Sequence, residues 1–396
     1  MYAFKPQTAL AFVDAGVDDY AGVVAYLEAH HRNDLTGAAA QDGRAQRFLA
    51  LTAAGLLQYV LPLLVIVLAF DAFAGERESG TLRLAVSLGA RPGALVAGKL
   101  LGVGGALGLA LLPATLAGVT LLWTLDGARW EAGRFALMVG GYTLYGLIFL
   151  ALTLAVSARL SSRLTLLSLL AFWVVSGFVV PRAVSDLAAR WFPTPSRAAF
   201  DEAVARGMRD GIDGYDPQAE RLKAFEARLL TQYNAKRLED LPINPTGLLM
   251  QESEEHGNRV YAHHYAGLWS AFERQDRLYN AAAALSPTLA MRSLSMALAG
   301  TDVFHHIAFV EAAEQYRQPF IKKLNEDLAY QSTMATDETY KADARLWAAI
   351  PPFAYNPPPL GPALGRQWLA LAMLGVWCGV ASAALYWAMR RMVVLN

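Results

Sequence analysis

The residues best able to do chemistry in this 396-residue chain are its histidines and the acids near them. All seven histidines, His30, His31, His256, His263, His264, His305 and His306, fall in polar stretches. Glu28, Glu252, Glu254, Glu255 and Glu311 lie close to them in sequence. Imidazole and carboxylate together would suit zinc or copper. Their spacing does not assemble a site. No two histidines stand four apart, and adjacent ones on a helix point in different directions. His256, His263 and His305 are the candidate metal ligands, with packing or surface histidines as the plainer reading. No serine sits in a GxSxG elbow. The run Gly93-Ala-Leu-Val-Ala-Gly98-Lys99-Leu100 nearly spells a phosphate-binding loop. Such a loop needs Ser or Thr after the lysine to hold magnesium, and a buried strand before its first glycine. Here Leu100 follows and Arg91-Pro92 precede. The chain therefore reads as no enzyme, with no ATPase motif and no cofactor of its own.

The elements that would carry these residues follow from composition. The chain is 55% hydrophobic and 17% charged, against about 25% charged in a soluble domain. Five runs reach the roughly 20 apolar residues a transmembrane helix needs: 51–74, 100–123, 135–158, 164–181 and 367–389. The expected architecture is an all-α polytopic bundle. It comprises an extracytoplasmic segment 1–50, four spans within 51–182 with a cytoplasmic loop 75–99, a helical extracytoplasmic domain 183–366, and a last span with a short tail, 367–396. Orientation comes from the basic loops. Arg77, Arg83, Arg91 and Lys99, then Arg159 and Arg163, then Arg390 and Arg391 must share one side. Across the membrane, Arg129 and Arg134 are offset by Asp126 and Glu131. A polar 50-residue N-terminus on the outer side favours a chain lacking an upstream span. Net charge is zero and no basic stripe is visible, so no nucleic-acid partner is expected. The lone Cys378 can form no internal disulfide.

After the first span the sequence reads Phe73-Ala-Gly-Glu76-Arg77-Glu78-Ser-Gly80-Thr81-Leu82-Arg83, then Ser87-Leu-Gly-Ala-Arg91 and Gly98-Lys99. This resembles the first cytoplasmic loop of type-2 ABC exporter permeases. Ser286-Pro287-Thr288, Ala299-Gly300-Thr301-Asp302, Phe309 and Glu314-Gln-Tyr316-Arg317 are similar to a poorly characterised branch of these permeases, with a large extracytoplasmic domain between the last two spans. So is the stretch from Asp14-Ala-Gly16-Val17 to Tyr26-Leu-Glu28-Ala-His30. The resemblance implies a prokaryotic cytoplasmic (inner) membrane protein and a cytosolic ABC ATPase partner that binds ATP and magnesium. It also implies a second permease, identical or sibling. The loop helix would dock in the ATPase, a role carried to Glu76, Arg77, Glu78, Gly80, Thr81, Leu82 and Arg83.

The loop also has a reading of its own. Ser79-Gly80-Thr81 looks like a helix start, and Glu76 and Glu78 before it complement the helix dipole. Apart from Asp71 near one end, the spans hold no acid, lysine or histidine, which counts against an ion-coupled carrier. The expected function is a permease subunit coupling a separate ATPase to export of an unknown substrate. The alternative is a mechanical transmitter acting on an extracytoplasmic protein, a lipid or metal-site maturation, with no substrate crossing the bundle. A through-going polar cavity would favour export, and a tightly packed bundle transmission.

Overall fold

The computed structural model describes residues 1–32, 52–124 and 131–394. Positions 33–50 of the N-terminal segment, and Asp126 and Arg129 of the second loop, lie outside the described residues. The chain runs through α1 (Ala53–Glu78), short α2 (Thr81–Ser87), α3 (Pro92–Thr124), α4 (Ala132–Ser157) and α5 (Ser162–Trp191). A polar domain follows, with α6 (Arg197–Asp210), α7 (Gln218–Gln232), α8 (Pro245–Ala282), α9 (Pro287–Ala299) and α10 (Val303–Gln331). The last helix is α11 (Trp368–Val394). Helices α1, α3, α4, α5 and α11 are long and apolar enough to cross a membrane. The protein is an all-α, multi-pass membrane protein, as its composition dictates. Helices suit lipid because each satisfies its own backbone hydrogen bonds.

The three basic loops meet at one end of the bundle. Arg77 donates to the carbonyls of Ala158 (2.7 Å) and Leu160, and the Arg159 guanidinium lies 4.5 Å over the Trp387 ring. Glu131 and Arg134 stand at the other end with residues 1–32 and the polar domain.

One stretch of the polar domain departs from the separate-domain expectation. Helix α9 is buried almost throughout and packs in one apolar core with α1, α4 and α11. Its depth follows from its partners on α4. The carbonyls of Ala297 and Leu298 meet Arg134, while Thr288 meets Tyr145. Arg134 to Tyr145 is about 16 Å of helix, half of a hydrocarbon layer about 30 Å thick. Trp377, well inside α11, donates from Nε1 to the Ala283 carbonyl at the turn (3.0 Å). Helix α8, 38 residues and about 57 Å long, thus descends from the polar domain into the bundle. The chain turns at Ala283–Ser286, and α9 climbs back out. The segment is a re-entrant hairpin with a buried Ser286 N-cap. Such a helix is too short to span but long enough to reach the middle.

The N-terminal segment clamps the top of α9. Strands β1 (Tyr2–Phe4) and β2 (Val24–Tyr26) form an antiparallel hairpin against Phe309 and Ala313 of α10. Lys5 Nζ pairs with Asp18 (2.6 Å) and donates to the Gly300 carbonyl, and Thr8 Oγ1 donates to that of Ala299. The helix-ending carbonyls of α9 thus meet two cations, Lys5 and Arg134, where the helix dipole is negative. Gly16 has φ +51°, and a Cβ there would lie 2.4 Å from the Thr301 carbonyl oxygen. Gly16→Ala is therefore expected to cost about 1–3 kcal/mol, measured as a fall in the melting temperature of the purified chain.

Candidate functional site

The loop between α1 and α3 is built in two parts with different duties. The first, Glu76–Glu78, ends α1 and is tied to the rest of the bundle. Glu76 pairs with Lys99 of α3 (2.7 Å), and Lys99 also donates to the Ala72 carbonyl. Glu78 accepts from the Ser162 backbone N–H (2.9 Å) and hydroxyl (3.1 Å), where it caps the start of α5. Ser162 Oγ also donates to Asp71. With the Arg77 bonds, three consecutive side chains link α1 to α3 and to the α4–α5 turn. Glu76, Arg77 and Glu78, expected from sequence to meet a partner, are engaged inside the chain.

The second part is α2. Gly80 takes the left-handed conformation (φ +77°) that glycine adopts without strain, so the chain breaks sharply and restarts at Thr81. Leu82 packs inward. On the outward side Leu84 is 59% exposed and Leu88, just past the helix end, 79%. Arg83 and Arg91 are exposed beside them with no ion-pair partner among the described residues. Two exposed leucines and two unpaired guanidiniums thus form an apolar and basic patch at this end of the bundle. Sequence spacing located this helix, but which of its residues face outward was not visible without the fold.

At the centre of the bundle the re-entrant hairpin docks onto a polar thread. Helices α1 and α5 each contain a π-turn, Leu56–Val60 and Val175–Val179, and each turn is followed by proline, Pro62 and Pro181. Proline supplies no N–H to the ladder and crowds the preceding turn. The carbonyls it frees are taken by the hairpin and α4. Tyr145 Oη donates to the Gln58 carbonyl (2.8 Å), four residues before Pro62. Ser286 Oγ donates to the Ser176 carbonyl (2.7 Å), five before Pro181. From there a directed chain runs outward. Gln58 Nε2 donates to Tyr142 Oη (3.2 Å), Tyr142 to Ser295 Oγ (2.9 Å), and Ser295 to Asp14 (2.5 Å). Every member is buried. π-Turns mark places where a helix can change shape, and here two face the tip of one hairpin. Tyr145→Phe would leave the Gln58 carbonyl without its partner. It is expected to lower stability by about 1–3 kcal/mol, again read from the melting temperature.

The upper end of α8 reaches the far side of the polar domain. There Arg317 of α10, 2% exposed, donates to Glu314 (both bonds 2.9 Å), to Glu254 and Asn258 of α8, and to the Glu28 carbonyl (3.2 Å). The His30 backbone N–H closes the cluster on Glu254 (2.7 Å). Burial works against the Glu314 charge, but the Arg317 guanidinium overcomes it and holds this carboxyl below its ordinary value. The cluster forms one wall of a cleft of about 670 Å³ that also includes Phe200, Arg221, His256 and Tyr261.

The three candidate metal ligands do not meet. His256 is buried with Nε2 3.2 Å from the Gly207 carbonyl, and burial pushes its pKa down. His263 stacks edge-on against His264, and buried His305 holds Asp302 through Nδ1 (2.5 Å). Among the described residues no three His, Cys, Asp or Glu side chains gather in a metal-holding group.

Residues 197–356 match a family described as a domain of unknown function (DUF3526), which corresponds to the polar domain from α6 onward. The chain is 38% identical over 112 residues to the probable ABC transporter permease protein NosY of Pseudomonas aeruginosa, covering 27% of this chain and 40% of that one. It is 32% identical over 116 residues to the protein of the same name from Stutzerimonas stutzeri, covering 28% and 41%. The chain thus spans about two fifths of the length of these curated relatives. No solved structure matches it.

Proposed function

We propose that this chain is the membrane-spanning permease subunit of an ABC transporter, driven by a separate cytosolic ATPase that binds ATP and magnesium and docks on α2. The observation that carries the reading is the division of the loop: an exposed Leu84–Leu88 surface mounted on Glu76–Glu78, which fasten it to three spans. A push on α2 is delivered to α1, α3 and α5 together. The names of the two relatives support the same reading. On this assignment the basic loops face the cytosol of a prokaryote, across its inner membrane, and the polar domain faces outward. A second permease, identical or sibling, fits the face of α3. That helix's spanning window is only 11% buried, and Gly98, Gly102 and Gly105 leave open space along it for close helix approach.

Between export and mechanical transmission, the packing favours transmission. Among the described residues the space between α1, α4, α5 and α11 is filled by α9, with Thr288 and Ser295 bonded to Tyr145 and Tyr142 of α4. Helix α8 is an unbroken lever from the π-turns to the Arg317 cluster. ATP-driven movement of the spans would tilt this lever and reshape the outer domain, which acts on an extracytoplasmic partner. Export would instead need a path along the seam with the second permease.

The test is capture. The full chain, expressed with the genes adjacent to its own and purified in detergent, is expected to bring down a soluble ABC ATPase in stoichiometric amount. Recovery of the folded chain with no ATPase, under conditions where the ATPase is expressed, overturns the permease reading.

A further inference from the structure

At the membrane-facing edge of the polar domain, a cleft of about 340 Å³ opens between α8, the start of α10 and the entry into α11. Its level is set by the hairpin. From the Ala283–Trp377 contact inside the bundle, Asp276 lies about 10 Å up α8 and Trp368 about 13 Å up α11. Trp368 begins the apolar run of the last span and is 65% exposed, as tryptophans at a membrane–water boundary are. Asp302 and Val303, just past the end of α9 whose carbonyls meet Arg134, also line the cleft, so it opens at the outer edge of the hydrocarbon layer, within reach of the headgroups.

Its lining is zwitterionic and unevenly satisfied. On one side are acceptors short of donors. Among the described residues Asp276 receives one hydrogen bond, from Asn280 Nδ2 (3.1 Å). Gln367 is 3% exposed, and its Oε1 accepts nothing among the described residues. Beside them the buried Asn280 Oδ1 is also without a donor among those residues. On the other side are two guanidiniums. Arg366 lies 4.2 Å over the Phe304 ring and meets Glu273 at 3.2 Å, both partners half exposed. Arg277 has no ion-pair partner among the described residues. Buried acceptors without donors are costly, so such a constellation calls for a ligand that brings N–H groups. Arginines flanking them call for phosphate.

We propose that this cleft binds phosphoethanolamine as the headgroup of a membrane phosphatidylethanolamine, with its ammonium on Asp276 and Gln367 and its phosphate on Arg277 and Arg366. A phosphocholine headgroup has no N–H to donate, and phosphatidylglycerol has no cation. The site discriminates by the unmet acceptors rather than by size. Because Asp276 rides on α8, the lipid sits against the lever of the re-entrant hairpin. The binding itself does not depend on the permease reading.

The full chain, delipidated in detergent and offered equal dioleoyl phosphatidylethanolamine, phosphatidylcholine and phosphatidylglycerol, is examined by native mass spectrometry. Phosphatidylethanolamine is expected to be retained about tenfold over either competitor, the size of one charge-assisted hydrogen bond. Asp276→Asn and Gln367→Leu should each bring the three lipids to within about twofold. The Asp276 carboxyl is pushed up to about 6, chiefly by burial and then by Asp302. Its neutral form is thus favoured by the fold, and Asp276→Asn should melt no lower than the parent at pH 8. Equal retention of the three lipids, or a preference that survives both substitutions, overturns the proposal. Soluble O-phosphoethanolamine distinguishes the source. Displacement only at large excess fits a lipid anchored by its chains, whereas displacement at equal concentration overturns the lipid assignment in favour of a soluble headgroup.

Discussion

Leu84→Asp combined with Leu88→Asp is expected to abolish capture of the ATPase while leaving the chain folded. Both side chains are largely exposed, so carboxylates there cost little in the isolated protein. In the complex the same carboxylates would be buried in an apolar groove without partners, which costs several kcal/mol, a loss of about a hundredfold or more in affinity. Glu76→Gln and Glu78→Gln are expected to act differently. They loosen the mount of α2 by removing the Lys99 pair and the Ser162 cap, so capture weakens by less while ATP turnover uncouples from the spans. Equal loss from both kinds of variant would place the docking surface on Glu76–Glu78 instead. The readout is the ATPase-to-permease ratio after affinity purification, with the melting temperature of the permease as the folding control.

Arg317→Met is expected to be the most destabilising single change in the polar domain. The guanidinium satisfies Glu314, Glu254, Asn258 and the Glu28 carbonyl at once, so its loss strands two buried carboxylates. Breaking a buried ion pair from one side costs about 3–5 kcal/mol. Much of that cost is the stranded charge rather than the worth of the pair. Arg317→Met with Glu254→Gln and Glu314→Gln should therefore recover a substantial part of the loss. The pH dependence has a definite sign. Glu314 titrates lower in the folded protein than in the unfolded chain, so its contribution is present above the unfolded value and is lost as pH falls through the folded one. The parent should lose this increment in acid, below about pH 4.3, and the triple variant should not. Thermal melts across pH 3 to 7 check both statements.

The spans were legible because lipid leaves so little choice: a run of the right length and composition is a helix across it. The start of α2 was legible too, from Gly80-Thr81 and the apolar spacing behind them. The re-entrant hairpin was not. Its buried helix α9, 13 residues, is too short to span and carries Thr288, Arg292 and Ser295 behind the Ser286 N-cap, so it passes for an ordinary outer helix. Its polar residues look solvent-facing in sequence, yet three of them answer the carbonyls and hydroxyls around Pro62 and Pro181. A proline inside an apolar run, as Pro62 is, was the available signal that something must come to meet it. The Arg317 cluster was hidden for a different reason. Glu28, Glu254 and Glu314 are far apart in sequence, and only the approach of the N-terminal segment to α8 and α10 brings them to one guanidinium. The histidines drew attention by number, but each finds a separate partner: His256 the Gly207 carbonyl of α6, His263 the neighbouring His264 ring, and His305 the N-cap Asp302.

The outer domain is expected to move when the ATPase turns over. Tyr215, 91% exposed between α6 and α7, and Arg163, exposed at the opposite end of the bundle, suit a pair of spin labels on a Cys378→Ser background. In lipid nanodiscs with the ATPase bound, the distance distribution between the two labels is measured by pulsed electron paramagnetic resonance, without nucleotide and with ATP trapped. Two distinct distributions are expected, collapsing to one when Leu84→Asp and Leu88→Asp remove the docking surface. A single unchanged distribution while ATP is being hydrolysed would rule out transmission to the outer domain.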